Sequence, residues 1–172
     1  MTRPEGAVNR SHGMRASSSF LASALLLSGC SAAAADRPAV QHYPADEAMQ
    51  AAARAGGFRI PFSMGVRVGD TLYLSGVIGT RADGTLPAGI EAQSRQVMDN
   101  VGGALARAGR SFDDVFKCTV MIEDMKDWQA FNRVYVTYFK DRRLPARSAF
   151  GTDGLALGAL VELECLAHAP ER

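Results

Sequence analysis

The sequence predicts an α+β fold: one sheet with two helices on one of its faces. Segments with a period near two fall at both ends of the region from about residue 62 to 168, and two segments between them carry apolar residues every three or four positions. Glycine- and aspartate-rich turns separate these segments. With 172 residues, 47% hydrophobic and 22% charged, the chain has the composition of one ordinary globular domain with a real core.

The first 29 residues read as an export signal outside this fold. Arg10 and Arg15 precede the apolar run Phe20 to Leu27, which has the length of a secretory apolar region and is too short to span a bilayer. Met14 offers a second candidate start. The run ends in Leu27-Ser28-Gly29-Cys30, which resembles the bacterial lipobox. That resemblance implies a diacylglycerol-modified Cys30 at the mature N-terminus, a periplasmic protein held to a bacterial membrane by lipid alone, and, with Ser31 next, the outer membrane. The plainer alternative is an ordinary signal peptide with an incidental cysteine. The formal net charge is +1, and loss of Arg3, Arg10, Arg15 and Glu5 with the signal leaves about −1. No polybasic surface for nucleic acid follows from that.

Residues 31–44 are alanine-rich and contain Pro38 and Pro44, which predicts a tether, so that residues 30–57 form a lipidated N-terminus and linker and residues 58–172 the domain. Asp46 is placed to cap a short helix over Glu47 to Ala55, with Gly56-Gly57 ending it. Gly65 to Gly69 and Thr71 to Gly76 alternate around a turn at Gly69-Asp70, which predicts a hairpin. Ile90, Val97, Met98, Val101, Leu105 and Ala108 form one apolar stripe of a helix ended by Gly109. Within it Gly102-Gly103 predicts a close approach of helix to sheet.

Val115 to Ile122 has strand composition, and Asp124 to Asp127 supplies a turn and an N-cap. Trp128, Phe131, Val134, Tyr135 and Tyr138 then repeat at helical spacing. That aromatic stripe reads as core, because it lies on one face and lacks interleaved basic residues. Arg147 to Phe150 and Leu160 to His168 close the order ββαβαββ as hairpin strands. A single sheet covered on one side leaves the other face open, so association of copies is expected where that face is apolar.

The chemistry concentrates in the last thirty residues. Arg147 follows Leu144-Pro145-Ala146, and Glu162 stands fifteen positions later within Leu160 to Cys165. A guanidinium fork and a carboxylate divide a task naturally: the first clamps a carboxylated substrate, the second handles a proton or a water. Glu164 is a built-in control, an adjacent acid on the same strand face. Each residue alone also reads as ordinary, Arg147 as a surface or interface arginine and Glu162 as a solvated strand residue. Cys118 and Cys165 lie in apolar alternating segments and are read as two buried, unpaired thiols, with pairing open in an oxidising compartment. His42 and His168 have no partners at zinc-ligand spacing, and Ser75 and Ser148 have no nearby histidine, so neither a metal site nor a serine nucleophile is expected.

Taken together, Pro61-Phe62-Ser63, Leu74-Ser75-Gly76, Gln93 to Val101, Thr119-Val120 with Asp124-Met125, Phe131 to Tyr135, Pro145 to Ser148 and Val161 to Glu164 resemble the reactive-intermediate deaminase family, RidA or YjgF, over most of the mature domain. The resemblance implies a chorismate-mutase-like protomer, a homotrimer whose sheets form a central barrel, and pockets between neighbouring subunits. It implies hydrolysis of small 2-imino acids or their enamine tautomers to 2-keto acids and ammonia, without metal or organic cofactor. Carried over by position, Arg147 binds the substrate carboxylate, Glu162 orients or activates water, and Phe62, Ser75, Gly76, Asn132 and the backbone at Ala149 surround the substrate. Three positions depart from the family's pattern: many relatives have cysteine at Ala149, commonly tyrosine at Phe62 and often glutamine at Met64, so this pocket is expected to be more apolar. The alternative from another class is a non-catalytic trimeric binder of small carboxylates at the cell envelope. Ribonuclease activity fits poorly with the missing basic stripe.

Overall fold

The computed structural model describes residues 38–140 and 143–171. Cys30 and the signal segment lie outside the described residues. The elements run β1 (Val40–Pro44), α1 (Glu47–Ala55), β2 (Ser63–Val68), β3 (Thr71–Leu74), β4 (Val77–Ile78), α2 (Ile90–Arg107), β5 (Val115–Ile122), α3 (Trp128–Tyr135), β6 (Ala146–Gly151) and β7 (Val161–His168). They form one 7-stranded mixed sheet in the order β1-β2-β3-β7-β5-β6, with β4 pairing β7. The α+β expectation holds, and two strands are added to the predicted order.

The first addition corrects the tether. Val40 to Pro44 pairs antiparallel with β2, from Val40 opposite Val68 to Pro44 opposite Ser63. As an edge strand it tolerates Pro44 at its end, where no ladder donor is required. Helix α1 follows as predicted, with Asp46 Oδ1 accepting from the Met49 N–H at 2.8 Å. Gln50 ties this helix to the main chain of Ile60 in both directions, each bond 3.3 Å. Residues 40–57, read from sequence as part of a linker, therefore belong to the folded region. The second addition, β4, is two residues long, and its pairing with Leu163 and Glu162 gave no alternation to read.

The expected hairpin at the C-terminal end does not form. Strand β6 runs parallel to β5, joined through α3, while β7 inserts between β3 and β5 and is antiparallel to both. A parallel neighbour requires a crossover, and the helical segment from Trp128 supplies it.

Helices α2 and α3 lie on one face and close the core. Val97, Met98, Val101 and Leu105 from α2 and Phe131 from α3 are fully buried against Leu72, Val120, Ile122, Val161 and Leu163 of the sheet. Helix α2 ends in a Schellman motif: Gly109, at φ +68°, donates to Ala106, and Arg110 donates to Leu105, each at 2.9 Å. The glycine pair within α2 has a different reason from the one expected. A Cβ on Gly102 would stand 3.2 Å from the Phe112 ring, and one on Gly103 would meet open space, so the close approach is to an aromatic side chain and not to the sheet.

Cys118 and Cys165 correct the reading of free thiols. They face each other across β5 and β7 with their Cα atoms 4.1 Å apart and form a disulfide. Matching positions on adjacent antiparallel strands brought the two sulfurs together, and that pairing depended on the central placement of β7.

Candidate functional site

Arg147 owes its setting to the alternation of β6. In the parallel ladder Arg147 is opposite Cys118 and therefore shares the helix-covered face, while Ser148 and Phe150 turn to the open face. Its head reaches α3. One Nη donates to Asn132 Oδ1 at 2.7 Å, and the guanidinium carbon lies 4.7 Å from the ring centroid of Trp128, 4.6 Å from that of Tyr135 and 5.7 Å from that of Phe131. Trp128 and Tyr135 are seven residues apart, so they stand two helical turns from each other on one face with Asn132 between them. No carboxylate pairs with Arg147 among the described residues. A half-buried cation without a counter-ion is an anion site in waiting.

Glu162 sits on the other face of the sheet. It is opposite Met121 on β5 and Ile78 on β4, and its neighbours Val161 and Leu163 point into the core. The carboxyl is half-buried, and burial raises its pKa above the ordinary glutamate value, with the charge of Glu164 adding to the rise. Gly76 lies directly against it, close enough that a Cβ there would overlap Glu162 Oε1. Ser75 is fixed by two bonds, its hydroxyl donating to the Ser63 carbonyl at 2.7 Å and its N–H to Met64 at 3.1 Å. Phe62 precedes β2 and is 51% exposed. Ala149 lies on β6, the last strand of the sheet, whose outer edge no strand among the described residues pairs.

The predicted residues thus form two groups. Arg147 and Asn132 stand together under α3, and Ser75, Gly76 and Glu162 stand together on the open face. Along β7, Glu162 is three residues from Cys165, the position level with Arg147, which is roughly 10 Å of strand. Within one chain the pair is not a clamp. A site that uses both residues needs a second copy of the chain.

The open face also carries a groove of about 550 Å³ lined by Tyr73, Ser75, Gly76, Lys117, Thr119 and Glu164, among others. Lys117 Nζ donates there to Ser148 Oγ at 2.8 Å. Lys117 and Tyr73 gave no motif from which to predict this. Trp128 and Tyr135 were read as core alone. Their i, i+7 spacing around Asn132 was visible, but the strand that brings Arg147 beneath them was not. Among the described residues no cluster of three or more histidine, cysteine or acidic side chains is arranged to hold a metal, and no helix is long and apolar enough to cross a membrane.

Comparison with known proteins fits this arrangement. The family model described as endoribonuclease L-PSP matches residues 49–169. The 2-iminobutanoate/2-iminopropanoate deaminase of Mus musculus is 39% identical over 109 residues, covering 62% of this chain and 80% of the relative. That of Homo sapiens is 37% identical over 117 residues, 67% of this chain and 85% of the relative. Among solved structures, RidA from an Antarctic Psychrobacter species superposes with a TM-score of 0.61 at 30% identity, over 77% of this chain and 99% of that one. The YjgF gene product of E. coli gives 0.60 at 32% identity, over 63% and 87%. With the mixed sheet, the two covering helices and this match over most of the folded region, the chain belongs to the RidA/YjgF family.

Proposed function

We propose that the protein hydrolyses small 2-imino acids, or their enamine tautomers, to 2-keto acids and ammonia. The observation that carries this reading is Arg147: half-buried, set between aromatic rings, hydrogen-bonded to Asn132 and lacking any acidic partner among the described residues. A substrate carboxylate supplies the missing charge through two parallel N–H bonds. The relatives named as 2-iminobutanoate/2-iminopropanoate deaminases direct the choice of carboxylate.

The chemistry asks little of the protein. An imine carbon is already electrophilic, so holding it beside a positioned water supplies most of the acceleration. Glu162, ionised, takes a proton from that water as oxygen bonds to carbon, and the imine nitrogen takes up a proton from solvent to give a carbinolamine. The C–N bond then breaks, the hydroxyl proton passes to solvent, and ammonia departs with the proton Glu162 returns. A carboxyl whose pKa is raised by burial is suited to carrying a proton in both directions. Main-chain groups at Ala149, two residues along β6 from Arg147, complete the contacts to the ligand in this reading.

Because Arg147 and Glu162 face opposite sides of one sheet, the reading includes association of copies, as a homotrimer with Arg147 of one subunit meeting Glu162 of the next. Tyr73 and Phe150, 48% and 49% exposed on the open face, are apolar area that such contact would cover. The reading also retains the lipid anchor at Cys30 and a periplasmic location, which suits a disulfide between Cys118 and Cys165. Mass spectrometry of the protein from membranes, with a diacylated Cys30 at its N-terminus, would bear this out, and an unmodified Cys30 would remove it.

The reaction is tested by adding the purified domain to an amino-acid oxidase that generates imines. Faster keto-acid release with wild type and none of that gain with Arg147→Ala is the expected result. Equal rates for both would sink it. Saturable carboxylate binding without turnover would select a non-catalytic binder instead.

A further inference from the structure

Arg147 and Arg67 are both enclosed arginines, and their surroundings differ in kind. Arg67 spends its whole fork inside the protein, on Glu171 at 2.9 Å, the Gly69 carbonyl at 3.2 Å and Gln41 at 3.3 Å. Among the described residues Arg147 has one hydrogen bond, to Asn132, and aromatic faces in place of the remaining partners. The first arrangement finishes a structure. The second leaves a binding edge and controls where it lies.

We propose that Trp128 and Tyr135 are positioning residues for Arg147: their rings hold the guanidinium between them, so that the edge not taken by Asn132 is presented in one place to a flat carboxylate. This rests on the reading that Arg147 receives the substrate carboxylate. A guanidinium is planar, weakly hydrated and attracted to ring faces, whereas a free arginine side chain samples many rotamers before it binds. Confining it in advance removes that ordering cost from the binding step.

The rings act through their faces. The Tyr135 hydroxyl is buried with no hydrogen-bond partner among the described residues, and burial pushes its pKa up to about 12, so it offers Arg147 neither a hydrogen bond nor a charge. Its ring is locked from behind by Phe139 and Phe131, with centroids 4.8 and 5.4 Å away. Trp128 is the single tryptophan of the chain. Its emission therefore reports on this site alone, and a carboxylate arriving at Arg147 changes the charge beside the indole.

The experiment is a titration of the purified protein with 2-oxobutanoate, the keto acid that 2-iminobutanoate hydrolysis would release, followed by tryptophan emission and by calorimetry. Wild type is expected to give a saturable emission change that Arg147→Ala abolishes. Trp128→Phe and Tyr135→Phe keep a ring face and should hold the calorimetric Kd and the KM within about twofold, while Trp128→Leu and Tyr135→Leu raise both about five- to tenfold with kcat little changed. Leucine variants that fold and bind as wild type would overturn the proposal, as would phenylalanine variants that fail to rescue. Should leucine at 128 unfold the domain, the wild-type titration decides: emission unmoved at a concentration that saturates the calorimetric signal also overturns it. Failure of the proposed reaction reads differently, as 2-oxobutanoate binding through Arg147 without keto-acid release from imines.

Discussion

Gly76 and Glu162 are packed so closely that no side chain fits between them: a Cβ on Gly76 would overlap Glu162 Oε1 and stand 3.1 Å from its Cδ. Glycine is needed here for close approach and not for an unusual turn. Gly76→Ala would push the carboxylate off its position while leaving Arg147, on the opposite face, untouched. The expected result is a fall in kcat of about 10- to 100-fold with KM near wild type, since displacing a catalytic group by about 1 Å has that scale of effect. An alanine variant with full kcat would show that Glu162 does not act from this position.

The pH dependence follows from the same carboxyl. Burial, and then Glu164, raise the pKa of Glu162 in the folded protein. A raised carboxyl favours its neutral form on folding, so its contribution to stability is fully present below the unfolded glutamate pKa and is lost as pH rises through the folded value. Glu162→Gln should therefore raise the melting temperature at neutral pH, and that gain should vanish on acidification below the ordinary glutamate range. Activity moves the other way, with an acid limb above that range in wild type. Glu164→Gln removes the second cause and should shift the limb to lower pH, measured as kcat/KM against pH.

How much of this was legible in the sequence depended on whether a signal was local. The caps of α1, the glycine stop and apolar stripe of α2, and the β2–β3 hairpin were written in adjacent residues, and each formed as read. What failed was set by chain segments far apart. The insertion of β7 between β3 and β5 depends on pairing across almost a hundred residues, and it decided the disulfide and how far Glu162 lies from the level of Arg147. Strand β1 was missed because Pro38, Pro44 and many alanines resemble a linker, and Val40, Gln41, His42 and Tyr43 show no apolar alternation to set against that. The candidate residues carried a motif and a spacing, and the alternation of Val161, Leu163 and Cys165 put Glu162 on the face away from the helices, but nothing local put Arg147 on the helix-covered face.

The disulfide is a stability prediction of its own. Cys118 and Cys165 are 1% and 2% exposed and close a loop with a sequence separation of 47. On the chain-entropy account, a cross-link of that span contributes about 4 kcal/mol by restricting the unfolded state. Denaturant unfolding of the Cys118→Ala, Cys165→Ala double variant should show a loss of that order, and adding a thiol reductant to the variant should have no further effect. A variant as stable as wild type would mean that the thiols are unbonded in solution.

The separation of Arg147 and Glu162 makes a sharper test possible than either substitution alone. Arg147→Ala and Glu162→Gln subunits should each assemble into inactive oligomers, because every site would lack one of the two groups. If one subunit supplies Arg147 and its neighbour Glu162, co-assembly of the two variants from the unfolded state rebuilds complete sites wherever a Glu162→Gln subunit presents its arginine to an Arg147→Ala subunit's glutamate. Random mixing in equal amounts into a closed ring then restores about a quarter of wild-type activity, whatever the ring size. Mixing the folded, separately assembled variants should restore none until subunits exchange. If both groups of a site came from the same chain, no mixture would regain activity, because no subunit in it carries both.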